Sequence, residues 1–75
     1  MPLSAIAKGR KVILDSIEWG QQVRKKLQDM GMTPGVEFIV INAPKVGPMI
    51  IEVRGTRVAI GRGILSNIHV TPVVE

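Results

Sequence analysis

A chain of 75 residues without cysteine is sized for one small domain, one that buries only about 60% of the surface its unfolded form exposes and has no disulfide or thiolate-bound metal to support it. Apolar residues make up 45% and charged ones 21%, which excludes a disordered polar tail. Ten Lys and Arg against six Asp and Glu give a net charge of +4, a bias toward an anionic partner such as nucleic acid, a membrane surface or an acidic protein face. The opening MPLSAIAKGRK lacks the apolar run of a secretion signal, and no stretch approaches the roughly 20 apolar residues that cross a bilayer. The expectation is one cytoplasmic domain over residues 1–75.

In chain order, KVILDSI (Lys11 to Ile17) is rich in β-branched residues and reads as a first strand. In GQQVRKKLQDMGM the period becomes helical: Val23, Leu27 and Met30 fall on one face, with Arg24, Lys25 and Gln28 outside. Trp19, four residues before Val23, is placed to pack on it as the chain enters the helix. Gly31 suits the left-handed residue that ends a helix, and Met32 then folds back on Leu27. Pro34 and Gly35 supply a fixed φ followed by a permissive residue, the chemistry of a type II turn.

From Val36 the period is 2, with Val36, Phe38 and Val40 on one face and Glu37, Ile39 and Ile41 on the other. After the loop NAPKVGP come MIIEV, RGTR and VAIG, a hairpin expected to turn at Gly55 and Thr56. GRGILS is long enough for one 3₁₀-like turn, and NIHVTPV (Asn67 to Val73) closes the chain as a last strand. Strands so short in so small a chain cannot build two stacked sheets. The expected fold is therefore mainly β with one short helix, a bent antiparallel sheet curled into a small barrel with the helix over one open end.

Taken in order, PLSAIAKG, KLQDMGMTPG, the VGP loop, EVRGTRVAI and the closing IHV resemble the FeoA family of small ferrous-iron transport proteins over nearly the whole chain. That resemblance implies an SH3-like barrel acting as a non-enzymatic cytosolic accessory protein. Its implied partner is FeoB, the membrane-embedded ferrous-iron transporter with a cytosolic GTP-hydrolysing domain, which it would bind and modulate. The chain departs from the family's look at Gly61, Arg62 and Gly63, where a charged helical turn is usual.

The residues themselves offer little chemistry. There is one histidine, His69, in an alternating strand and no cysteine, so no catalytic constellation is readable. Asp15, Glu18, Asp29, Glu37, Glu52 and Glu75 are scattered without the paired spacing of metal ligands, and no phosphate-cradling glycine motif occurs, so neither a dedicated metal site nor a cofactor is expected. Surface recognition remains. Arg24 and Lys25 on the helix and Arg54 and Arg57 at the hairpin tip are the candidate cationic contacts. Ile39, Met49 and Ile51 are the candidate apolar ones, because both faces of their strands carry apolar residues. The alternative is a small basic barrel that binds nucleic acid. It is disfavoured because Phe38 and Trp19, the aromatics, are both expected to be packed rather than free to stack on bases. Self-association is left open.

Overall fold

The β-branched runs become strands and the 3.6-period segment becomes a helix. In the computed structural model, which describes residues 1–74, a 3₁₀ turn at Leu3–Ala5 precedes β1 (Lys11–Ile17), α1 (Gln21–Asp29), β2 (Glu37–Asn42), β3 (Met49–Val53), β4 (Thr56–Ile60), a helical turn α2 (Arg62–Leu65) and β5 (Ile68–Pro72). The strands form one five-stranded antiparallel sheet in the order β4-β3-β2-β1-β5. Register shifts at Asp15 in β1 and at Ile41 in β2 mark two bulges. A bulge bends its strand and increases local twist, which is what curls so small a sheet around a single core.

That core is one cluster of aliphatic residues with Phe38, drawn from every strand. Leu3 and Ile6 belong to it as well, a contribution for which the sequence reading has no element. The N-terminal segment is held against β5 by an isolated bridge between Pro2 and His69 and by reciprocal backbone bonds between Met1 and Val70.

The corner between α1 and β2 is built as its residues dictate. Gly31 sits at φ +97, where an L side chain is strained. Its N–H bonds to the Gln28 carbonyl at 2.9 Å and the Met32 N–H bonds to the Leu27 carbonyl at 3.0 Å, the two bonds of a Schellman stop. Leu27 and Met32 are both buried in the common core. The Val36 N–H then bonds to the Thr33 carbonyl, closing a turn with Gly35 at φ +90, while Gly35 N–H to Leu14 O and Leu14 N–H to Val36 O tie that turn to β1.

Val23, Leu27 and Met30 share one side of the helix as expected, although Met30, at the C-cap, is 43% exposed. Trp19 is also 43% exposed and stands outside the packed cluster: it precedes the Gly20 N-cap, and the helix position a staple would pair with it is the charged Arg24. GRGILS forms a single α-helical turn instead of the 3₁₀ one expected.

At nine residues, α1 is shorter than the roughly 12–15 residues at which isolated helices become marginal in water. It depends on Leu27 and on its glycine stop. Gly31→Ala is therefore expected to lower the unfolding free energy by about 1–2 kcal/mol, read as a lower urea midpoint at unchanged slope. A Cβ there would meet Arg54 Cδ at 3.7 Å, an ordinary contact, so the cost comes from the backbone angle and not from a clash.

Candidate functional site

The hairpin tip differs by one residue from the expected one. Val53 pairs with Thr56, so Arg54 and Gly55 are the loop, at φ +53 and φ +78, the left-handed pair of a type I′ turn. Arg54 is the one non-glycine residue with positive φ among those described. It therefore sits in the tip itself and not at a strand end. Its side chain runs back toward the end of α1: Arg54 Cδ lies 3.7 Å from where a Cβ on Gly31 would stand. The aliphatic stem of Arg54 thus lies beside the helix C-terminus, an end that favours positive charge.

Arg24 and Lys25 are exposed on α1, and Arg54 and Arg57 are exposed on the hairpin. Arg57 Nε lies 3.8 Å from Glu52 Oε1, with both side chains largely in solvent. An exposed pair of that length contributes little and leaves the guanidinium free to exchange partners.

The apolar part of the expectation is corrected. Met49 is 1% exposed and Ile51 is 0% exposed, so neither reaches a partner. The register explains the inversion. Val40, a core residue, stands opposite Ile51, and residues directly opposite share a face, whereas Ile39 stands opposite Glu52. In β3 it is Met49, Ile51 and Val53 that face inward, with Ile50 on the outer side. Ile39 is partly exposed and remains available.

A groove of about 220 Å³ runs between the helix and the sheet end. Val23, Lys26, Leu27 and Met30 of α1 form one wall, and Ala59 to Gly61 with Ile64 form the other. Sequence reading missed it because its walls come from segments far apart in the chain. A larger concavity, about 590 Å³, is bounded by Gln21, Gln22, Arg24, Lys25 and Gln28 alone. One helix face supplies no second wall, so that space is open solvent over the basic surface.

No cluster of converging acids, bases or ligands appears among the described residues, where no three of His, Asp and Glu approach one another closely enough to hold a metal; Glu75 lies outside those residues. His69 Nε2 is shielded from water and 3.4 Å from Glu18 Oε2, without the geometry of a hydrogen bond. Thr71 Oγ1 donates to Asp15 Oδ2 at 2.7 Å, satisfying the carboxylate at the β1 bulge. No helix among these residues is long and apolar enough to cross a membrane.

A profile of the FeoA domain matches residues 1–72. The chain belongs to the FeoA domain family. A protein of Methanocaldococcus jannaschii that carries the provisional name Fe(2+) transport protein A is 36% identical over 69 residues, covering 92% of this chain and 83% of that protein. A crystal structure of an iron uptake regulatory protein, FeoA, matches with a TM-score of 0.89 at 40% identity, over 97% of each chain. Zinc-complexed FeoA of Stenotrophomonas maltophilia, described as a prokaryotic SH3 domain protein, matches at TM-score 0.81 and 20% identity, over 95% of this chain and 89% of that one, a likeness of fold. The architecture is the SH3-like one.

Arg54 carries an angle that asparagine or glycine would adopt at lower cost. Arg54→Asn is expected to raise the unfolding free energy by roughly 0.5 kcal/mol while removing a cation from the hairpin tip. Chemical denaturation of the two proteins side by side reads the first effect, and loss of stability in the variant would contradict the strained-tip account.

Proposed function

We infer that this chain is a cytosolic accessory protein of ferrous-iron transport, which binds the cytosolic regions of a FeoB-type transporter and modulates it without donating catalytic groups. The FeoA match over residues 1–72 carries the reading. The exposed cations Arg24, Lys25, Arg54 and Arg57 support it, because a domain without a readable catalytic constellation acts through its outer face. Binding of this kind works by favouring one conformation or assembly of the transporter over another.

In a titration of transporter cytosolic domains with this chain at low salt, the double variant Arg24→Glu, Lys25→Glu is expected to weaken binding about tenfold and to flatten its salt dependence. Unchanged affinity would move the contact off α1, and no binding by the unaltered chain would remove the reading.

One observation favours the nucleic-acid alternative: Trp19, exposed at 43%, stands five residues before Arg24 and is the sole tryptophan. Its fluorescence is a direct reporter. Oligonucleotides are expected to leave the emission unchanged at low salt. Quenching that disappears steeply as salt rises would instead place single-stranded nucleic acid on this face.

A further inference from the structure

β4 is an end strand of the sheet, and its outer edge borders the groove. In a two-residue hairpin closed by Val53 and Thr56, hydrogen-bonded and non-bonded pairs alternate along the ladder. Thr56, Val58 and Ile60 therefore direct their backbone groups at β3, while Arg57 and Ala59 direct theirs outward. None of the turn, loop or side-chain hydrogen bonds among the described residues involves the Arg57 or Ala59 backbone. Two N–H and two C=O groups thus stand free beside an apolar trough.

Gly61, at the end of that edge, has φ −64, which any residue adopts, and a Cβ there would meet nothing within 4 Å. Gly61 is the N-cap of α2, which asparagine or serine would also serve, so neither backbone angle nor packing within the chain restricts the place to glycine. A missing side chain next to an open strand edge leaves room for another backbone to approach. The charged residue lining the groove is Lys26, and Arg57 stands on the edge itself.

The geometry points to strand addition: the free edge of β4 receives an extended segment of a partner that carries both apolar and acidic residues, the apolar ones against the groove wall and the acidic ones against Lys26 and Arg57, which stand on the side of the strand that Ala59 presents to the groove. A second copy of this chain fits less well, since both copies carry +4 and each would bring an arginine to the shared edge. The inference rests on the accessory-protein reading for the partner's identity, and on the edge for its mode of binding.

The test uses the isotope-labelled full chain and a capped synthetic peptide, Glu-Val-Glu-Val-Glu-Val, with a Lys-for-Glu counterpart as control. The acidic peptide is expected to slow amide hydrogen exchange at Arg57 and Ala59 by about tenfold or more, and the basic one is not. Ala59→Pro removes an N–H that β3 does not use, and Gly61→Asn places a side chain in the trough, where a Cβ meets nothing within 4 Å, while keeping a good N-cap for α2. Each is expected to weaken peptide binding about tenfold while leaving the urea midpoint near that of the unaltered chain. Binding that leaves the two amides exchanging freely, or that survives both substitutions, overturns the inference. Protection that appears without peptide and vanishes on dilution assigns the edge to a second copy and also overturns it. With transporter cytosolic domains in place of peptide, binding without protection at Arg57 and Ala59 sinks strand addition and leaves the accessory reading standing. Peptide capture at the edge with no transporter binding does the reverse.

Discussion

One left-handed residue at the end of α1 ties the helix to the barrel. Gly31 turns the chain back so that Leu27 and Met32, on either side of the stop, both enter the barrel core. Burial of one such side chain is worth about 1.5–3 kcal/mol, and these two are what tie the helix end to the sheet. The Arg54 stem reaches the same helix end, at a distance that a Cβ on residue 31 would tolerate. Backbone conformation at a single position therefore sets the packing of α1.

Wherever one local rule sufficed, the sequence was readable. β1 and β3 have the bounds their β-branched runs predict, and the helix stop follows from Gly31 and the Pro34-Gly35 pair. The inward face of β2 follows from strict alternation, with Phe38 and Val40 buried. In β3, three consecutive apolar residues, Met49, Ile50 and Ile51, satisfy either phase, and only pairing with β2 selects one. That ambiguity is why alternation alone does not separate the core residues Met49 and Ile51 from contact residues. The tip was displaced for a related reason: Arg-Gly and Gly-Thr both fit short hairpin loops, and choosing Arg-Gly needs an arginine in a conformation that propensity disfavours.

Other features had no local signal to find. The 3₁₀ turn that buries Leu3 lacks the repeat from which a helix or strand is read. The groove arises between α1 and the β4-α2 junction, a contact of tertiary origin. The free edge is likewise a property of strand order: β4 is an edge because β3 pairs with β2 on its other side. Charge, by contrast, was legible from the start, because Arg24, Lys25, Arg54 and Arg57 are exposed in any fold that buries their apolar neighbours.

The distribution of packing sets what binding at this surface would do to the rest of the molecule. Leu27 is the one fully buried residue of α1, with Val23 partly buried beside it, whereas each strand places two or more residues in the core. Detaching the helix thus costs less than unfolding the sheet, and α1 belongs to the low-stability part of the molecule. An occupant of the groove touches α1 on one side and β4 on the other, so it binds the closed arrangement and not the opened one. At a concentration one hundred times its dissociation constant, such a ligand adds about 2.7 kcal/mol to the state it recognises. That equals the burial energy of a side chain such as Leu27, so partner binding and helix docking are comparable in size and each reinforces the other.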